Sequence, residues 1–471
     1  MPYSEALKSK ILKGGIYLTL RNVLSAVLSL LSVLVIARVL GPKNYGIATV
    51  AIGTFYFLIW TCRLGLNTYL VRQADLPSSG PQQVVSFYNS VGLGLCVVLW
   101  CIAPLMGIWS GQAEVTQALR LLIPAVWLDM LGMVSIAMLE RDLKFDQVGL
   151  LETVAQISNY LVSVPLVLLH WSYWGPVIGT VVQYALQLVL AYRLYPVGWR
   201  WRWDWTFLGP ALRYGLAYSG ADWLLHFKSL RIPLLVSGIL GVEAAGIAGI
   251  ASRFVDQMTM LRLIIRRMSI SVMARLVGDP GAIRRAVSTG MAYQALLVGP
   301  VCALFACFGT WIIPLMFGDA WLLSARIFPI IAMGTLVSAL FDLHAAVLYT
   351  VGHNRDVAIA NLWYVGVLWL SGLLLLPVAG LWGYALSELI ALPTFWVIHR
   401  SFKRFTGSPS YREATWLVVA ATPPLVASTF YSPLIALSVF GVSYGAVFLL
   451  HPDLQKIPSG LIFSLRKKVV A

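Results

Sequence analysis

Apolar runs of membrane-spanning length, set apart by short clusters of Gly, Pro and charged residues, recur along the whole 471-residue chain. A helix of about 20 apolar residues crosses the hydrocarbon core of a bilayer. The pattern predicts fourteen spans, near 14–38, 46–66, 84–107, 118–139, 148–169, 175–195, 214–240, 246–268, 287–310, 326–350, 357–378, 382–399, 414–431 and 434–450. Composition supports the same class. Only 11% of residues are charged and 59% are hydrophobic, whereas a soluble domain carries about 25% charged residues. The expected fold class is an all-α polytopic membrane protein.

The formal charge of +15 then reports on orientation. With the N-terminus inside, one side of the membrane collects Lys8, Lys10 and Lys13, then Arg141, Lys144, Arg193, Arg200 and Arg202, then Arg284, Arg285, Arg400, Lys403 and Arg404, and finally Arg466, Lys467 and Lys468. The other side keeps little beyond Arg38, Lys43, Arg120 and Arg326. By the positive-inside rule both termini are expected in the cytoplasm. No cleavable signal peptide is expected, because the first apolar run is long enough to span and no small-residue cleavage site follows it. Residues 198–205, GWRWRWDW, fall in the cytoplasmic connector between spans six and seven. If extended, the segment puts Trp199, Trp201, Trp203 and Trp205 on one side and Arg200 and Arg202 on the other. Such a segment anchors at a membrane interface, with indoles at headgroup level and arginines on anionic lipid. A nucleic-acid platform is the weaker alternative, and nucleic acid is not an expected partner.

An internal repeat supplies the architecture. LKGGI at 12–16 corresponds to LRYGL at 212–216, and LGPKNYGIATVA at 40–51 to LGVEAAGIAGIA at 240–251, both at an offset of 200. The offset drifts to 206 at Cys96 and Cys101 against Cys302 and Cys307, and to 208 at the WG of Trp174 and Trp382. Six spans per unit preserve orientation, so the repeats are parallel, related by an axis along the membrane normal, as in transporters that rock two halves around a substrate. The expected organisation is a six-helix bundle at 1–197, an interfacial connector at 198–210, a second six-helix bundle at 211–404, and two further helices with a basic tail at 405–471. Gly41, Pro42, Gly46, Gly241 and Gly246 are expected in tight external turns. The five cysteines lie in apolar runs and read as small buried hydrophobes. Cys96 and Cys101 are five apart, about 140° around a helix, so they do not face each other.

The same residues carry a family resemblance. ARVLGPKNYGIATVA at 37–51, RLGLNTYLVRQ at 63–73, SGILGVEAAGIAGIASR at 237–253 and MFGDAWLLSARIFPIIA at 316–332 resemble the polysaccharide-biosynthesis flippases of the Wzx type. These belong to the multidrug/oligosaccharidyl-lipid/polysaccharide exporter superfamily. The resemblance implies a fold like that of the multidrug exporters of this superfamily, in a bacterial inner membrane. It implies movement of an undecaprenyl-diphosphate-linked oligosaccharide from the cytoplasmic to the periplasmic leaflet, for exopolysaccharide, capsule or O-antigen synthesis. Membrane lipids, a polysaccharide polymerase and chain-length proteins are the partners it implies.

No P-loop signature and no GK dipeptide occur, so no ATPase engine of that kind lies in this chain. No metal-ligand spacing or nucleophile–base motif is present, and His170, His226, His344, His353, His399 and His451 are dispersed. No enzyme activity, metal or cofactor is expected. Charge within the membrane remains. A base at a span centre costs about 2.5–3.5 kcal/mol on insertion scales, so a retained one normally faces a bundle interior or aqueous cavity. Arg21, Lys228, Arg231 and Arg253 qualify and form the expected cationic lumen. Lys228 and Arg231, three apart, share a helix face, and their repulsion calls for an anion or an acid between them. A lipid diphosphate fits, gripped by the guanidinium fork. Pro233, two residues after Arg231, is the proline best placed to bend its span. For Arg253 an ion pair with Asp256 is an equal alternative, and Asp222 and His226, four apart, can satisfy each other. Asp129, Asp222, Asp256, Asp342 and Glu388 are candidates for binding a coupling proton or sodium ion, or partners of buried bases. Two rival functions stay open: a drug or organic-cation antiporter of the same fold, whose cavity should be acidic, and a non-transporting scaffold of a polysaccharide-assembly complex.

Overall fold

The computed structural model describes residues 5–260, 262, 278–451 and 454, and of residues 5–27, 221, 222 and 225 the backbone alone. Among the described residues every regular element is helical. The principal helices are α1 (Glu5–Cys62), α2 (Leu66–Arg72), α3 (Gly80–Ser110), α4 (Ala113–Arg141), α5 (Phe145–Leu168), α6 (Trp174–Leu194), α7 (Trp205–Phe227), α8 (Ser237–Met258), α9 (Pro280–Phe317), α10 (Leu322–Thr350), α11 (Asn354–Ala379), α12 (Leu381–Ile390), α13 (Phe395–Thr406), α14 (Arg412–Phe430) and α15 (Pro433–Leu450). Eleven helical stretches among the described residues are long and apolar enough to cross a membrane. Two of them, Leu28–Cys62 and Lys228–Met258, are each divided by a glycine into two of the expected spans, and α14 occupies the thirteenth. The end of span eight lies outside the described residues.

The two glycine breaks are equivalent. Gly41 has φ 67° and ψ 173°, and its repeat partner Gly241 has φ 85° and ψ 172°. That region is essentially closed to residues with a Cβ. The change of direction is confined to this one residue in each repeat, and Pro42 follows at the first position of the renewed helix, where a missing N–H leaves no bond unmade. Gly46 and Gly246 are therefore not turn residues, as the sequence suggested. They are sites of close approach. A Cβ on Gly46 would stand 1.8 Å from Val242 O, and one on Gly246 would stand 2.5 Å from Pro42 O. Val242 is the repeat partner of Pro42, so the two contacts join equivalent positions of the sequence repeat.

The chain divides into two compact units, Met1–Gly246 and Ile247–Ala471. In the first, α4 is the central helix, packed on α1, α3 and α6, while α5 pairs with α6. Its inward positions are almost all apolar or small, with Asp129 the buried exception. In the second, α9 packs on α10, α14 and α15, and α12 joins α10 and α11. Large apolar side chains also point away from both cores: Ile108, Leu315 and Val378 are 78%, 77% and 86% exposed. Such exposure is unfavourable in water and neutral in lipid. For the same reason Cys101, expected buried, faces outward on α3, while Cys62, Cys302 and Cys307 are buried as expected.

Candidate functional site

Span seven is not a continuous α-helix. After α7 the chain makes a tight 3-10 turn at Lys228–Leu230 and then a wide π-turn segment at Arg231–Val236 before α8 begins. Lys228 and Arg231 fall at the start of these two irregular pieces. The three-residue period of a 3-10 turn keeps them on one side, so the shared face expected from α-helical spacing survives by a different geometry. Pro233 explains much of the irregularity, since it has no N–H to offer the preceding turn. Two carbonyls of the π segment also accept from side chains. Ser237 Oγ donates to Pro233 O, and Trp109 Nε1 on α3 donates to Leu234 O at 2.7 Å. Within a membrane span, departures from α-helix are tolerated where protein groups satisfy the backbone in this way. The break is also tightly covered by α1, because a Cβ on Gly53 would come within 2.8 Å of the Pro233 ring. Arg231 is 2% exposed, whereas Lys228 is half-buried.

A ladder of side chains runs from this break to a buried ion pair in the same unit. His226, at the end of α7, stacks on Trp60 of α1 with centroids 4.3 Å apart and planes 15° apart. The Arg63 guanidinium lies 5.0 Å from the centre of the Trp60 ring. Arg63 in turn grips Asp129 with a two-pronged fork, Nε to Oδ2 at 2.8 Å and Nη2 to Oδ1 at 2.7 Å. Asp129 is completely buried on α4. The Arg63 carbonyl accepts from Tyr88 OH. The junction itself is strained into position: Leu64 and Gly65 both have positive φ, 49° and 67°, and a Cβ on Gly65 would stand 2.5 Å from Gly215 O of α7. Arg63 was not among the residues singled out from the sequence. The one available signal was Asp129, a carboxylate in an apolar run that needs a base, but pattern alone does not say which.

The remaining candidates are dispersed. Arg253 and Asp256 are exposed on α8, in the part of it that belongs to the second unit. Glu388 is buried on α12, accepts from Tyr364 OH at 3.0 Å, and lies against Gly334. Asp342 is half-buried on α10. The side chains of Arg21 and Asp222 lie outside the described residues. No group of three His, Cys, Asp or Glu among the described residues is arranged to hold a metal ion. The connector 198–204 is non-helical. Trp199, Trp201, Trp203 and Trp205 are exposed by 60%, 64%, 37% and 59%. Its backbone is pinned to α3 where Arg202 N donates to Ser86 Oγ at 3.0 Å, and Trp203 packs on Phe87. Asp204 Oδ1 accepts from Thr206 N at 2.9 Å, which caps the start of α7, and the Thr206 hydroxyl together with this N–H holds the carboxyl below its ordinary pKa.

Two histidines that are 55 positions apart in sequence meet in the second unit. His344 Nε2 and His399 Nδ1 both bond the Tyr411 hydroxyl, at 2.6 and 2.7 Å. A scattered histidine set in the sequence thus hides one tertiary cluster.

The family model described as polysaccharide biosynthesis protein matches residues 35–326. The chain belongs to the polysaccharide biosynthesis protein family. The matched region contains the break in span seven, the Arg63–Asp129 pair and both glycine breaks. Among curated relatives of this family member, "Lipopolysaccharide biosynthesis protein WzxC" of Escherichia coli K12 is 22% identical over 328 residues, 67% of this chain and 65% of that protein. "Succinoglycan biosynthesis transport protein ExoT" of Rhizobium meliloti is 23% identical over 228 residues, 48% of this chain and 46% of that protein. The matches therefore span somewhat under two thirds and under half of those relatives. Among solved structures, the lipid II flippase MurJ in an inward closed conformation superposes with a TM-score of 0.74 at 13% identity, covering 93% of this chain and 99% of that one. An inward-facing multidrug resistance transporter of the MATE family gives 0.62 at 13% identity, covering 81% and 96%. This polysaccharide biosynthesis protein is a multi-pass membrane protein with the fold of that transporter superfamily.

Proposed function

We propose that this chain is a flippase that moves an undecaprenyl-diphosphate-linked oligosaccharide from the cytoplasmic to the periplasmic leaflet of a bacterial inner membrane, with both termini cytoplasmic. The observation that carries the proposal is the irregular stretch of span seven, which sets Lys228 and the buried Arg231 on 3-10 and π turns rather than on regular α-helix, within a family of polysaccharide biosynthesis proteins. Discontinuous helices of this kind form substrate sites in secondary transporters. Two cations at such a break suit a diphosphate, and the lipid tail stays in the bilayer. Arg21 and Arg253 are proposed to extend this cationic lumen. The moving parts are bundles 1–197 and 211–404, joined by the connector 198–210 with its four indoles at the interface, with the helices of 405–471 outside the repeat. Alternating access of the two bundles exposes the site to each side in turn. The antiporter alternative needs an acidic cavity, and Asp129, the carboxylate buried in the first unit, is already taken up by Arg63. The scaffold alternative predicts no effect of charge at the site.

Export of glycan by an expressing strain, with the lipid-linked precursor followed in each leaflet, tests the proposal. Arg231→Glu should insert normally and block export, leaving precursor in the cytoplasmic leaflet. Arg231→Lys should keep partial export because charge survives while the fork is lost, and Arg231→Ala should fall between the two. Wild-type export by all three at normal expression would overturn the cationic site.

A further inference from the structure

The helix α13 has two chemically opposite faces. Ile398, Ser401, Phe402 and Thr406 are buried, with Ile398 in one cluster with Leu348, Val357 and Ala360. The other face carries Trp396, His399, Arg400, Lys403 and Arg404, which recur at three- and four-residue spacings and so stand together. These five side chains line a cavity of about 400 Å³. Among the described residues Arg400, Lys403 and Arg404 form no ion pair. Trp396 is 64% exposed at the rim. α13 is also the end of the membrane-spanning stretch Leu381–Thr406, so the cavity opens where headgroups lie.

The wall of this cavity is fixed from behind. His399 Nδ1 is held by Tyr411 OH at 2.7 Å, and Tyr411 OH is held by His344 Nε2 at 2.6 Å. His344 is fully buried on α10, and Phe341 of the same helix stacks on Phe395 at 4.9 Å and 7°. A solvated basic face needs none of this. Its side chains would diverge, each hydrated separately, rather than converge on one concavity beside an indole. Three exposed cations lining one open hollow match a phosphate ester, which takes guanidinium forks and an ammonium together. A tryptophan at the rim matches the interfacial level of a lipid.

We infer that the α13 cavity is a binding site for the phosphate headgroup of an anionic glycerophospholipid. The site is built from residues of the second unit alone, and the inference stands whether or not the chain transports glycolipid. A lipid there would bridge the bilayer to α10 through His399, Tyr411 and His344.

The full-length protein in detergent tests this by thermal unfolding and by counting co-purified lipid with native mass spectrometry. Phosphatidylglycerol should raise the melting temperature by roughly 3 °C or more through mass action, phosphatidylcholine should not, and inorganic phosphate should give less than half that shift. The variant carrying R400Q, K403Q and R404Q should retain at least about fivefold less phosphatidylglycerol, whereas Arg355→Gln on α11 should retain the wild-type amount. If the triple variant does not fold, Arg400→Gln and Lys403→Gln must each lower retention about twofold. Equal protection by phosphatidylcholine, or undiminished retention by the variants, overturns the site. A full shift with inorganic phosphate would make it a free-anion site, and displacement by a polyprenyl diphosphate would reassign it to substrate. Either result ends the phospholipid inference.

Discussion

Arg63 and Asp129 show what one buried charge demands of the residues around it. Asp129 has no exposed surface, and both its oxygens are engaged by one guanidinium. Removing one partner of such a pair leaves the other charged and unsolvated, which costs about 3–5 kcal/mol, while removing both together costs far less. Asp129→Asn should therefore unfold at much lower temperature than wild type, and Arg63→Gln with Asp129→Asn should recover part of the loss. Thermal unfolding of Asp129→Asn, Arg63→Gln and the double variant in detergent measures the coupling. An Asp129→Asn protein as stable as wild type would show that the pair is not structural and would return Asp129 to the candidates for ion coupling. Arg231 is under the same pressure. It is buried in the irregular part of span seven, and the chemistry of its surroundings, not its neighbours in sequence, decides its role.

At the scale of elements, the glycines of the two repeats divide their work. Gly41 and Gly241 supply a backbone conformation, with nothing within 4 Å of the position a Cβ would take. Gly46 and Gly246 supply proximity, each facing a backbone carbonyl of the other repeat's helix. A backbone oxygen cannot swing aside as a side chain can, so a methyl at Gly46 must push the helices apart. Gly46→Ala should cost about 1–3 kcal/mol by overpacking and should reduce export. Gly94→Ala on α3, where a Cβ meets nothing, is the control and should change neither. If Gly46→Ala and Gly94→Ala behave alike in melting temperature and export, the close approach of Gly46 to Val242 is not required. The break in span seven follows the same logic: Pro233 makes it, and Trp109 and Ser237 make it tolerable.

For the whole molecule, the repeat and the charge distribution together predict residues 41–45 and 241–245 on the side opposite the termini. Lys43 and Glu243 are both exposed and are repeat equivalents. Single cysteines at these positions, in a background lacking the five native cysteines, should react with an impermeant thiol reagent from outside intact spheroplasts. Reaction at both only after the membrane is opened would reverse the orientation and, with it, the direction proposed for transport.

The class of the protein, its spans, its repeat and its family were legible in the sequence because each rests on local or periodic information. Twenty apolar residues report a span wherever they pack, and LGPKNYGIATVA against LGVEAAGIAGIA reports a duplication before any coordinate is known. The expectation that Lys228 and Arg231 lie within a span rests on the same local information. Tertiary structure decided which groups meet. Arg63 with Asp129 lie 66 positions apart, and His344, His399 and Tyr411 come from three separate elements. Gly46 lies against Val242. None of these pairings leaves a period in the sequence, because a long-range contact constrains the two partners only jointly. The 3-10 and π turns of span seven were likewise invisible. Apolar residues followed by a proline announce a bend, but its form depends on which neighbours, here Trp109 and Ser237, bond the carbonyls of the irregular segment.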